Sequence, residues 1–93
     1  MIKSFADKET EKIFNREFSR KLPTDIQRAA RLKLEILNAA EMLPDLRVPP
    51  ANRLEKLAGN RKGQHSIRIN NQWRLCFVWK QTDAYDVEIV DHH

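Results

Sequence analysis

The stretch His65-Ser66-Ile67-Arg68-Ile69-Asn70-Asn71-Gln72-Trp73-Arg74-Leu75-Cys76-Phe77-Val78-Trp79-Lys80 alternates apolar and polar residues on both sides of an Asn-Asn-Gln break. Successive strand side chains point to opposite faces, so this pattern predicts two half-buried strands, 65–69 and 73–80, joined as a hairpin. Ile67 and Ile69 must share a core face with Trp73, Leu75, Phe77 and Trp79. A three-residue loop, 70–72, satisfies that by pairing Ile69 with Trp73, whereas a two-residue loop sends apolar and polar residues to the same face. The same register sets Arg68 opposite Arg74 on the face away from the core. Directly opposed like charges destabilise a sheet by roughly a few tenths of a kcal/mol. An anion held between them reverses the sign, and arginine's planar fork suits phosphate oxygens.

Working outward, residues 85–90 read as a further alternating strand and 53–57 as a weak one. Between them Gly59-Asn60-Arg61-Lys62-Gly63 is a basic loop with two glycines free to take positive φ; it lacks the G-x-x-x-x-G-K-S/T phosphate-loop pattern. Pro44, Pro49 and Pro50 separate this half from a helical one. There, Thr24 and Gln27 read as a capping box before an apolar stripe of Ile26, Ala29, Ala30, Leu34, Ile36, Leu37 and Ala40. Lys33 falls inside that stripe and is expected to snorkel to its edge. An earlier helix follows Asp7 as N-cap, with Ile13, Phe14 and Phe18 as its apolar side, and residues 2–5 read as a short edge strand. The expected fold is a single α+β domain, 1–93, with two N-terminal helices on one face of a small, mainly antiparallel sheet.

With 93 residues, 41% of them hydrophobic, the chain is too short to divide into two domains. Apolar runs fall well below the roughly 20 residues a membrane span needs, and the start lacks signal-peptide features, so a cytoplasmic protein without a membrane partner is expected. The net charge of +4 is unevenly spread. Residues 47–80 hold eight basic side chains (Arg47, Arg53, Lys56, Arg61, Lys62, Arg68, Arg74, Lys80) against Glu55, while residues 81–93 hold four acidic ones. A basic block interleaved with aromatics fits a phosphate-backbone partner, because neutralised phosphates release counterions. A basic surface that merely favours solubility is the plain alternative.

The end of the chain, Glu88-Ile89-Val90-Asp91-His92-His93, places two imidazoles and a carboxylate beside the arginine-bearing strand. These are the parts of metal-free RNA cleavage: a base takes the 2′-hydroxyl proton, arginine stabilises the charged transition state, and an acid protonates the leaving oxygen. The residues alone leave open a frayed terminus with solvated histidines, or the remnant of a purification tag. His65, Cys76, His92 and His93 do not fall at zinc-binding spacings, and Cys76 sits mid-strand as a small hydrophobe, so neither a metal nor a cofactor is expected.

Several runs carry a family resemblance: Met1-Ile2-Lys3-Ser4-Phe5, Asn52-Arg53-Leu54-Glu55-Lys56-Leu57-Ala58-Gly59-Asn60-Arg61, Gly63-Gln64-His65-Ser66-Ile67-Arg68-Ile69, Gln72-Trp73-Arg74-Leu75-Cys76-Phe77 and Val87-Glu88-Ile89-Val90-Asp91-His92-His93. Together they resemble the HigB branch of the RelE/ParE toxin superfamily. The resemblance implies a type II toxin, a ribonuclease that enters the ribosomal 30S A site and cuts mRNA. It also implies a HigA-like helix-turn-helix antitoxin as partner, with operator DNA reached through that antitoxin. Relatives of this kind end in Asp-Tyr-His, which weighs against a tag. By the same resemblance Arg74 matches the phosphate-binding arginine, and Asp91 and His93 match the terminal acidic residue and histidine of cleavage. His92 stands where a tyrosine is usual. Glu55 and Ala58 stand where an active member has a histidine and a lysine, which implies either a slow toxin or one whose acid and base are Glu55 and His93. The residues expected to meet RNA are Arg53, Lys56, Arg61, Lys62, Arg68 and Arg74. A toxin on the same fold that binds a protein target such as gyrase, or acts mainly in antitoxin–operator complexes, is the alternative.

Overall fold

The computed structural model describes residues 1–91. Two helices, α1 (Lys8–Phe14) and α2 (Thr24–Ala39), precede a four-stranded sheet of β1 (Glu55–Lys56), β2 (His65–Arg68), β3 (Trp73–Lys80) and β4 (Asp83–Asp91). The strands lie in chain order and every neighbouring pair is antiparallel. Short 3-10 turns at Leu43–Arg47 and Pro50–Asn52 connect the two halves, and another at Gly59–Arg61 joins β1 to β2. The chain is therefore the α+β fold anticipated, with the helices on one sheet face.

The hairpin has the register that the alternation demands, with Ile67 opposite Leu75 and Arg68 opposite Arg74. Asn70 closes its loop by accepting hydrogen bonds at Oδ1 from the backbone N–H groups of Gln72 and Trp73, both at 2.8 Å. Ile67, Leu75 and Phe77 are fully buried against Ala30, Leu34 and Leu37 of α2. This burial, more than helix propensity, holds α2 in place.

β4 departs from simple alternation. Cys76 pairs with Glu88 and Val78 with Tyr85, so Asp86 and Val87 together oppose Phe77. This bulge, with Asp86 left-handed at φ 53, lets both Ala84 and Val87 point into the core. Tyr85 lies under the Lys80 ammonium on the face away from the core.

The outer edge of β4 is covered. Residues 2–5 run parallel to it through bridges from Ile2 to Ala84 and from Phe5 to Val87. Farther along, the hydroxyl of buried Thr10 on α1 accepts the Ile89 N–H at 3.0 Å. Covering an edge in this way removes a template for strand addition.

Four expectations in the helical half need correction. Asp7 caps α1 as expected, accepting from the Thr10 N–H at 2.7 Å, but the helix stops at Phe14 and Phe18 is 60% exposed. Pro23, rather than Thr24, holds the N-cap position of α2. Gln27 is spent on the preceding loop: its amide donates to the carbonyls of Ser19 and Leu22 and accepts from the Ser19 N–H. Lys33 does not snorkel. Its ammonium donates to Oδ1 of fully buried Asn52, whose own amide donates to the carbonyls of Leu46 and Val48. Burial lowers the Lys33 pKa, and the bond ties α2 to the proline-rich connection.

Replacing Thr10 with valine keeps its shape but leaves the buried Ile89 N–H without an acceptor. The expected cost is about 1–3 kcal/mol, seen as a lower urea midpoint at unchanged slope; a midpoint equal to that of the native chain would contradict the role given to this bond.

Candidate functional site

On the sheet face away from the helices, three basic residues converge. Arg74 comes from β3, Arg68 from the end of β2, and Arg53 from the turn that precedes β1. With Glu55, Asn70 and Asn71 they line a cleft of about 380 Å³. The sequence register predicts the Arg68–Arg74 pair, whereas the addition of Arg53 depends on how the proline-rich connection returns to the sheet.

Arg74 is not the free surface guanidinium that simple alternation predicts. It is 7% exposed, because the segment around residues 53–61 returns over this face. Its Nε donates to Ser66 Oγ at 2.8 Å, and its Nη2 donates to the Arg53 carbonyl at 2.8 Å and more loosely to the Ser66 carbonyl at 3.5 Å. Arg53 presents that carbonyl from a left-handed conformation, φ 46 and ψ 61, which costs a non-glycine residue roughly 1 kcal/mol. The nearest carboxylate oxygen described, Glu55 Oε1, is 3.9 Å from Nη1 and belongs to an exposed side chain. A buried charge needs hydrogen bonds to offset its lost hydration. Here neutral acceptors supply them, and the only described carboxylate partner is a long ion pair to the exposed Glu55, so the positive charge is held in place and weakly screened.

Arg68 is less enclosed. Its Nη2 donates to Asn71 Oδ1 in the hairpin loop, which holds the side chain along the cleft wall. Ser66, Asn70 and Asn71 also belong to the site, although none of them carries a charge that would mark it in the sequence. The signal for Ser66 was present in the register: it pairs with Cys76, one diagonal step from Arg74.

The remaining basic candidates separate. Arg61 lines a neighbouring apolar slot and is pinned by its Nη1, which donates to Glu88 Oε1 at 3.2 Å and Gln64 Oε1 at 3.1 Å. Lys56 lies opposite His65 and borders a different hollow, with Leu43, Arg47 and Leu54. Lys62 is exposed just beyond the 3-10 turn. Asp91 ends β4 opposite Trp73, and its Oδ2 accepts from Gln72 Nε2 at 3.2 Å, beside the hairpin loop. The candidate residues His92 and His93 lie outside the described residues.

Two other titratable groups of these strands are perturbed, Cys76 in the slot beside the cleft and His65 on the opposite sheet face. Cys76 is 4% exposed, and burial pushes its thiol pKa up, which keeps it protonated and inert. His65 stacks on Phe77 at 6.3 Å; burial, then the nearby Lys56 charge, lowers its pKa, which favours the neutral imidazole.

Because Arg74 is a structural strut as well as a cation, Arg74→Ala is expected to destabilise the fold by about 2–3 kcal/mol through its lost charged hydrogen bonds. Arg68→Ala at the cleft wall is expected to stay within about 0.5 kcal/mol of the native chain. Equal denaturation midpoints for the two variants would contradict the bracing.

Comparison with known proteins agrees with this architecture. The model of the HigB-like toxin family, described as the RelE-like toxin of the type II toxin-antitoxin system HigB, matches residues 3–93. Toxin HigB-1 of Vibrio cholerae serotype O1 is 43% identical over 93 residues, covering 99% of this chain and 98% of that one. An uncharacterised protein of Haemophilus influenzae is 33% identical over 72 residues, 77% of this chain and 71% of its own. A protein of Proteus vulgaris named Endoribonuclease HigB is 28% identical over the full length of both chains. A family match across nearly every residue, on an α+β fold with the expected hairpin register, places this chain in the HigB-like family of RelE-like toxins of type II toxin-antitoxin systems.

Proposed function

We propose that this toxin is an endoribonuclease that cuts mRNA in the 30S A site of the ribosome, and that a HigA-like helix-turn-helix antitoxin neutralises it and carries it to operator DNA. The name of the Proteus vulgaris relative supports the ribonuclease class. The observation that carries the reading is the braced Arg74 facing Arg68 across one cleft, with Glu55 in a long ion pair beside it.

Each part has a role in transesterification. Glu55 takes the 2′-hydroxyl proton as that oxygen attacks the adjacent phosphorus. Arg74 and Arg68 stabilise the charge that develops on the phosphoryl oxygens. Because Arg74 is already oriented, little reorganisation is needed as the charge grows, which is where fixed cations lower a barrier most. His93 is assigned the protonation of the departing 5′-oxygen, and Asp91 and His92 are assigned supporting roles in that step. These steps use side chains alone, with no metal or cofactor. Few catalytic groups are present, so the ribosome is expected to supply mRNA alignment, which can itself lower a barrier greatly. Arg53, Arg61, Lys56 and Lys62 add long-range attraction to the phosphate-rich surroundings.

The test is to map 5′ ends on ribosome-bound mRNA after brief induction. Cuts within the A-site codon are expected for the native chain, and Glu55→Gln and Arg68→Ala are each expected to slow cutting about 100-fold or more at equal expression. Ribosome association is expected to weaken by about an order of magnitude or more as salt rises across the physiological range. Growth arrest without cuts, with binding insensitive to salt, would overturn the reading in favour of a protein target such as gyrase.

A further inference from the structure

A second recess lies on the other face of the sheet. The 3-10 turn Leu43–Arg47 stands over β1 and the start of β2, and they border a hollow of about 260 Å³ lined by Leu43, Pro44, Arg47, Leu54, Lys56 and His65. The two residues of β1 divide between the sites, Glu55 going to the cationic cleft and Lys56 to this hollow, so cleft and hollow share no lining residue. Buried Leu46 anchors the turn. Asp45 is spent within it, because its Oδ2 accepts the N–H groups of Glu41 and Met42 at 3.1 and 3.0 Å.

Charge and exposed hydrocarbon meet here without partners. Among the described residues, neither Arg47 nor Lys56 has an ion pair. Met42 and Val48, at the two ends of the turn, are 63% and 70% exposed and continue the hydrocarbon of Leu43, Pro44 and Leu54 into solvent. His65 adds a directed donor. Its Nδ1 is buried without a hydrogen-bond partner, so Nε2 is the nitrogen left open to the hollow. A proton on Nε2 avoids a buried, unpaired N–H and gives the hollow a donor.

We propose that this hollow docks an acidic peptide segment of a protein partner. A glutamate or aspartate carboxylate of that segment seats among Arg47, Lys56 and His65 Nε2–H, and apolar residues beside it in the segment cover Met42 and Val48. An RNA phosphate would meet the cations but leave the exposed hydrocarbon against a sugar–phosphate backbone, whereas a peptide supplies both chemistries. The proposal does not depend on the ribonuclease reading, because it uses none of the cleft residues.

Filling the hollow also takes up a proton. Burial, then the Lys56 charge, lowers the His65 pKa, so the imidazole of the free chain is neutral near pH 7. Arg47 from the turn and Lys56 from β1 are the charged groups that line the hollow with it, and β3 contributes the uncharged Phe77. A carboxylate beside the ring favours the imidazolium. Binding therefore tightens as pH falls through the range of the histidine while the carboxylate, with an ordinary pKa of about 4, stays ionised.

The experiment is an NMR titration of the full chain with three probes: a short blocked peptide of leucine and glutamate, the same peptide with glutamine for glutamate, and a short oligouridylate. The signals followed are the methyl groups of Met42 and Val48 and the Cε1–H of His65. The acidic peptide is expected to move all three and to bind about tenfold or more tightly than the glutamine peptide. Its affinity is expected to rise about threefold or more between about pH 7.5 and about pH 6. Arg47→Glu, at an exposed position of the turn, is expected to bring the acidic peptide down to the affinity of the glutamine peptide. Equal affinity of the two peptides for the native chain would overturn the proposal. Shifts of these three signals by oligouridylate and by neither peptide would assign the hollow to RNA and overturn it. Binding unchanged over that pH range would overturn the role given to His65. The probe comparison uses the native chain, so it decides even if Arg47→Glu fails to fold.

Discussion

A guanidinium removed from water on the face of a sheet, and held there by neutral acceptors, is the constraint on which the site depends. Arg74 is 7% exposed and donates to Ser66 Oγ and the Arg53 carbonyl. Removing a charge from water is costly unless its hydrogen-bonding capacity is met. Meeting it with a hydroxyl and a carbonyl, with the exposed Glu55 carboxylate only at 3.9 Å, leaves the charge available to an incoming anion, whereas a directly hydrogen-bonded carboxylate would have cancelled it. The hairpin register, the left-handed Arg53 and the return of the chain after the prolines all serve this arrangement.

The same arrangement resolves the apparent defect of two arginines directly opposed across strands. Arg74 turns toward Ser66 and Arg53, while Arg68 turns toward Asn71, so each guanidinium is oriented by its own partner. What remains between them is a polar cleft with a net positive character and one described carboxylate, Glu55, within it. The segment 53–61 contributes Arg53 and Glu55 to the cleft and Leu57, Ala58, Asn60 and Arg61 to the slot beside it.

Much of the fold was legible because local patterns and the global core made the same demand. Ile67, Ile69, Trp73, Leu75 and Phe77 allow one register only, and Gly59 and Gly63 do take positive φ, at 63° and 93°. The bulge at Asp86–Val87 was not legible, because one added residue shifts the inward set from Tyr85 to Ala84 without altering the visible alternation. Gln27 and Lys33 misled for a related reason: their partners, Ser19, Leu22 and Asn52, are brought to them by loops whose course no short-range pattern encodes. At the site, the arginine pair followed from register, but the burial of Arg74 followed from a segment that folds back from elsewhere in the chain. Charge counting alone could not separate Arg53, which joins the cleft, from Lys56, which borders another hollow.

The most direct test of the braced cation is hydrogen exchange at the arginine Nε–H groups, followed by NMR on nitrogen-15-labelled protein. The Arg74 Nε–H, buried and donated to Ser66, is expected to exchange about tenfold or more slowly than that of Arg68 and to disappear only as the sheet opens. An Arg74 Nε–H that exchanges as fast as the Arg68 Nε–H would show a mobile, hydrated side chain and would contradict the account.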